Sequence, residues 1–108
     1  MLDSVLKAIV EPRRRDILRL VHNQELTSGQ IASHFDVTRP AISQHLQVLK
    51  EAGLVTVRQQ GTRRLYRTRP EGMSHLQVFL QEFWDVRLNW LKEAAEAEER
   101  RVLDSGDA

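Results

Sequence analysis

The sequence predicts a mainly α-helical fold with one small β-hairpin, and three observations carry that prediction. Two hydroxyl helix caps, Thr27 and Thr38, follow one another closely, with Asp36-Val37 as the turn between the helices they start. After Gly53 the pattern changes to two β-rich runs, Leu54 to Gln59 and Arg63 to Thr68, separated by the short turn Gln60-Gly61-Thr62. Helical patterning returns near Met73 or Ser74 and continues almost to the end. Helix, helix, helix-turn-helix, hairpin and long helix is the order of a winged helix-turn-helix with helices added at both ends.

Each element has its own signals. Asp3 caps a first helix carrying Val5, Leu6, Ile9 and Val10. Pro12 suits the first turn of a second helix, where no N–H is required, and Ile17, Leu18 and Val21 give that helix an apolar face that Asn23 closes. Thr27-Ser28-Gly29-Gln30 is a capping box, followed by a short third helix with Ile31, Ala32 and Phe35 inward. The fourth helix starts after Thr38, takes Pro40 in its first turn and runs to about Ala52. Its apolar residues Ile42, Leu46 and Leu49 lie on one face of a 3.6-residue period, and Gly53 is a natural residue just past its end. Pro70-Glu71-Gly72 breaks the second strand. The final helix carries Phe79, Phe83, Trp84, Leu88, Trp90 and Leu91, then a stretch that is charged outside its alanines.

A chain of 108 residues is expected to form one domain, 1–108, with a core at about 12–69 and added helices at about 2–10 and 73–100. No cysteine is present, which excludes disulfides, thiolate metal sites and cysteine nucleophiles. No apolar run approaches the ~20 residues that span a bilayer, and the mixed segment after Met1 is unlike a signal peptide. A cytoplasmic protein without membrane association is the expectation. The net charge of +1 conceals an asymmetry: residues 1–69 hold 12 Lys and Arg against 6 Asp and Glu, while residues 70–108 hold 4 against 9. A basic body with an acidic tail suits a nucleic-acid binder that has a separate oligomerisation segment.

The second helix of a helix-turn-helix enters the major groove with its N-terminal residues near base edges. Here the candidate contacts are Thr38, Arg39, Pro40, Ala41, Ser43, Gln44, His45 and Gln47. Gln can pair with adenine, Arg bidentately with guanine, and Ser with several base edges, while Ala41 can lie against a thymine methyl. The face carries no acid before Glu51. An ordinary solvated helix face would favour Glu and Lys over Ser and Gln. His45 borders the core side, so phosphate donation and simple packing both remain open for it.

The hairpin crowds Arg58, Arg63, Arg64, Arg67 and Arg69 onto two short strands. A tip of Gly61, Thr62, Arg63 and Arg64 can reach phosphates or a narrow minor groove. Charge that merely guards an exposed strand edge is the competing account, yet Lys would serve there as well and every cation is Arg. Arg13-Arg14-Arg15 opens the second helix against its dipole, a placement that either a phosphate partner or salt bridges to Glu11 or Asp16 would relieve.

These residues resemble the ArsR/SmtB family of bacterial regulators over about residues 3–91. The resemblance rests on Glu11 to Leu18, Gly29-Gln30-Ile31-Ala32, the highly specific run from Ser43 to Val55, and Gly61 to Tyr66. It implies a homodimer joined through the first and last helices, bound to an imperfect palindrome in double-stranded DNA and repressing transcription, often of its own operon. By the same resemblance Arg39, Pro40, Ser43 and Gln44 match groove-facing positions, and Gly61 to Arg64 matches the wing. The dimer interface is then expected from Leu2, Val5, Leu6 and Ile9 with Phe79, Phe83, Trp84, Leu88 and Leu91.

The chain departs from the family's metal sensors. Leu26 to Gln30 lacks their Cys-x-Cys pair, and Asp85-Val86-Arg87 has no His where they have Asp-x-His, nor does any His follow His75. No metal or cofactor is therefore expected, and an unidentified small-molecule inducer is left open as a partner. Catalysis is not expected: Ser43 and His45 point apart on one helix, and no phosphate-binding glycine loop or HExxH is present. Two alternatives keep the fold: a metal- or ligand-responsive sensor, and a module that docks protein or RNA.

Overall fold

The computed structural model describes the backbone of residues 2–106, and their side chains except those of 84–89 and 104–106. Two compact units are present, Met1–Leu76 and Gln77–Ala108.

In the first unit, α1 (Leu2–Ile9), α2 (Pro12–Leu20), α3 (Ser28–Ala32) and α4 (Arg39–Glu51) precede a hairpin of β1 (Val55–Gln60) and β2 (Arg63–Thr68). A short 3-10 turn, Pro70–Met73, leads into α5 (Ser74–Gly106), most of which forms the second unit. Among the described residues, no helix is long and apolar enough to cross a membrane.

The starts of α3 and α4 follow the predicted caps, whereas α1 already includes Leu2, so Asp3 lies in its first turn and does not cap it. Thr27 Oγ1 accepts from Gln30 N at 3.1 Å, and Gln30 Oε1 accepts from Thr27 N at 2.9 Å, completing the capping box. Thr38 Oγ1 accepts from Ala41 N at 3.3 Å, so its hydroxyl serves the helix. Glu11 caps α2 ahead of Pro12 by accepting from Arg13 N. Other boundaries also differ from expectation: α2 stops at Leu20, with Val21 as its C-cap; α3 is only one turn long, so Phe35 lies in the loop beyond it; and β1 begins at Val55 and includes Gln60, which was expected in the turn.

The core of this unit is apolar and shared. Ile42, Leu46 and Leu49 of α4 meet Ile17 and Val21 from the α2 segment, Ile31 of α3, Val5 and Ala8 of α1, and Leu54 and Val55 at the hairpin base. Truncating one of the three α4 residues to Ala would cost ~2–5 kcal/mol, because a cavity would add to the lost transfer energy. Burial of Ala8 in place of Val10, which is 72% exposed, rotates α1 relative to the expected apolar face.

The two strands pair antiparallel with Val55 opposite Thr68 and Gln60 opposite Arg63. Gly61, at φ 62°, makes the tip. Tyr66 exchanges two backbone hydrogen bonds with Leu26, so the segment before α3 acts as a third, one-residue strand. The base is tied to α2: Thr68 N donates to Val21 O at 3.0 Å, and its Oγ1 to Leu18 O at 2.8 Å. These bonds fix the hairpin base relative to α2.

Candidate nucleic-acid interface

The polar side of α4 and the tip of the hairpin meet in one open groove of about 590 Å³. Arg39, Ser43 and Gln47 line one wall, Thr62, Arg63, Arg64 and Tyr66 another, and Thr27 and Ser28 close the end at α3. Three of these nine residues are Arg and none is acidic. Two clusters far apart in sequence thus form a single surface suited to an anion-rich partner.

Among the described residues, the side chains of Arg39, Arg63 and Arg64 form no hydrogen bond or ion pair with the protein. Arg39 lies over Gly29, which has no side chain to displace it. Ser43 and Gln44 are exposed, as is Pro40, while Ala41 is half-buried beside them. Gln47 donates from Nε2 to Glu51 Oε1 at 2.9 Å, which orients its amide and leaves its carbonyl oxygen to accept.

His45 is turned elsewhere. Its ring is half-buried against α2, with Nδ1 3.3 Å from Arg14 Nη1. Partial burial first, and then the Arg14 charge, hold its pKa below the ordinary 6.5. It packs the back of α4 and is not on the Ser43–Gln44–Gln47 side.

The wing arginines divide by task. Arg58 makes a bidentate pair with Glu25, Nε to Oε2 at 2.9 Å and Nη2 to Oε1 at 3.1 Å. That hydrogen bonding holds the Glu25 carboxyl below its ordinary pKa against an opposing effect of desolvation, and the charges of Arg58 and Arg67 add to the lowering. Arg69 donates to Gly53 O at 3.4 Å and faces Glu71. Arg63 and Arg64 remain at the tip.

Among the described residues, the expected salt bridges from Arg13, Arg14 and Arg15 to Glu11 or Asp16 are not formed. Arg14 Nε donates to Ala8 O at 2.6 Å and its Nη2 to Lys7 O at 3.2 Å. Arg15 Nη1 donates to Ile9 O at 2.7 Å and Val10 O at 3.1 Å. Both guanidiniums satisfy carbonyls at the C-terminal end of α1, where a cation suits the helix dipole. Arg13 stacks on Phe35, 4.9 Å from the ring centroid.

The expected dimer residues also separate. Val5 is 2% exposed and is spent inside its own unit, which removes it from the interface set. Leu6 is exposed, and Leu2 and Ile9 are half-buried. On α5, Phe79, Phe83 and Leu91 are exposed, with Phe79 and Phe83 edge-to-face at 5.3 Å. The side chains of Trp84 and Leu88 lie outside the described residues. Thr27, Ser28 and Tyr66 join the groove without having been singled out; the capping-box hydroxyls were the available signal for the first two.

The arsR family of bacterial regulatory proteins matches residues 11–57. The HTH-type transcriptional regulator Rv2034 of Mycobacterium tuberculosis is 38% identical over 96 residues, covering 89% of this chain and 90% of that protein. This chain belongs to the arsR family. It is a winged helix-turn-helix transcriptional regulator and not an enzyme. A second relative, the transcriptional repressor SdpR of Bacillus subtilis, is 42% identical over 60 residues, or 56% of this chain and 67% of that one. Among solved structures, the homodimeric winged helix-turn-helix DNA-binding domain of Mb0332 from Mycobacterium bovis is 36% identical with a TM-score of 0.60, covering 81% of this chain and 83% of that one. The arsR match spans α2 through the start of β1, which includes α3, the turn and all of α4.

Proposed function

We propose that this arsR-family chain is a homodimeric repressor that binds a palindromic operator in double-stranded DNA, in the cytoplasm. The observation that carries the proposal is the acid-free groove uniting Arg39, Ser43 and Gln47 with Thr62, Arg63 and Arg64. In this account the N-terminal half of α4 enters the major groove. Arg39, Pro40, Ala41, Ser43, Gln44 and Gln47 meet base edges, with Thr38 holding the helix entry. Gly61 to Arg64 lie along the adjacent backbone, where two unpaired arginines replace condensed counterions. His45 has no part in the contact.

Dimerisation is supported by the exposed aromatic and aliphatic residues of α5, Phe79, Phe83 and Leu91 among them, which a second copy would cover. Leu6 offers a partner further apolar surface. A two-fold pair sets the recognition helices about 34–36 Å apart, one helical turn of DNA. Repression follows from occupying a promoter; the relative SdpR is itself a transcriptional repressor.

Selection from a pool of randomised duplexes tests the proposal. The purified chain is expected to enrich a two-fold-symmetric sequence, and that sequence placed over a reporter promoter is expected to lower transcription. Enrichment of no sequence would remove the function, and a rise in transcription would replace repression with activation.

A further inference from the structure

Among the described residues, Glu25 is the only acid that forms an ion pair with a side chain of β1 or β2. It is held at the edge of the wing because its neighbour Leu26 pairs with Tyr66 through two backbone bonds. Strand register puts Arg58 opposite Leu65, Gln60 opposite Arg63 and Thr56 opposite Arg67. Side chains directly opposite share a face, and alternate residues along a strand return to it about every 7 Å. Arg58, Arg63 and Arg67 therefore share one face, with Arg58 on β1 level with Leu65 and so between the other two, and Glu25 engages this middle cation with both carboxylate oxygens. The pair is largely open to water, Arg58 at 55% and Glu25 at 30%, so it adds little to stability. Its larger consequence is to remove one cation from that face.

We infer that Glu25 restrains sequence-independent DNA affinity by holding Arg58 away from the phosphate backbone. The inference rests on the DNA-binding function proposed above. Each additional phosphate neutralised steepens the dependence of log affinity on log salt by about 0.9, equivalent to a roughly five- to tenfold gain in affinity near 0.1 M salt. A regulator that must leave random DNA to find its site is served by one fewer such contact.

The test is binding of the full chain to a random duplex across a salt series. Glu25→Gln is expected to tighten binding roughly five- to tenfold and steepen the slope by about 0.9, with the thermal midpoint nearly unchanged. Glu25→Gln combined with Arg58→Gln is expected to return both to wild-type values. An unchanged or weakened affinity in Glu25→Gln, or a double variant that keeps the tighter binding and steeper slope of Glu25→Gln, would overturn the inference. A wild-type chain with no salt-dependent binding would instead overturn the DNA-binding function itself, and this inference with it.

Discussion

The guanidinium of Arg39 lies against Gly29: a Cβ added there would stand 3.3 Å from Nη2 and 3.4 Å from Cζ. The first residue of α4 is thereby held over α3, at the wall of the groove. Substitution Gly29→Ala should leave stability unchanged or raise it by up to about 1 kcal/mol, since Ala is the better helix former and the obstructing atoms belong to a flexible side chain. Affinity for the selected DNA site should fall several-fold as Arg39 is displaced. A calorimetric midpoint paired with a DNA titration checks both halves, and loss of stability with unchanged affinity would contradict the placement.

Gly72 meets a different obstacle. A Cβ there would overlap Gly53 O and stand 2.9 Å from the same carbonyl carbon, and backbone cannot yield as a side chain does. Gly72→Ala should destabilise the fold by ~1–3 kcal/mol or more, measured by urea unfolding. Gly61→Ala, with open space around it and only a φ of 62° to accommodate, should cost about 1–2 kcal/mol. A loss below about 1 kcal/mol at Gly72 would show that the close approach to Gly53 is relieved elsewhere.

His45 predicts how stability responds to acid. Its pKa in the folded protein is lowered by partial burial and then by Arg14; Arg13 acts in the same direction and Glu11 against them. A lowered histidine pKa means that the unfolded chain binds the proton more readily. The stabilisation is therefore fully present above the ordinary value of 6.5 and declines as pH falls below it. The thermal midpoint should drop between about pH 7.5 and about pH 5.5, and His45→Gln should drop less. Parallel curves for the two proteins would remove His45 as the cause.

Phe83, 64% exposed and edge-on to Phe79, tests the dimer. Phe83→Lys should convert the pair to monomer in sedimentation at micromolar concentration, with the Met1–Leu76 unit still folded by circular dichroism. A dimer of unchanged affinity would move the interface off this part of α5.

The elements that local chemistry specifies were legible in the sequence. Thr27 with Gln30, Thr38, Gly53 and Gly61 each announce a helix start, a helix end or a turn through bonds spanning only a few residues, and all occupy those positions. The buried side of α4 followed from periodicity alone. What was hidden depends on partners distant in sequence or on main-chain atoms. Arg14 and Arg15 bind carbonyls of the preceding helix, which no residue type advertises. Arg58 and Glu25 are 33 residues apart, so composition alone counted Arg58 among the free wing cations. Val5 looked like interface because a one-helix apolar stripe does not reveal which part of it the protomer's own core consumes.

The most direct test of the account is a hydroxyl-radical footprint on the selected duplex, with the stoichiometry measured on the same complex. Two protected half-sites about 10–10.5 base pairs apart, occupied by two chains, are the predicted result. A single protected site bearing one chain, or protection that slides along any duplex, would contradict it.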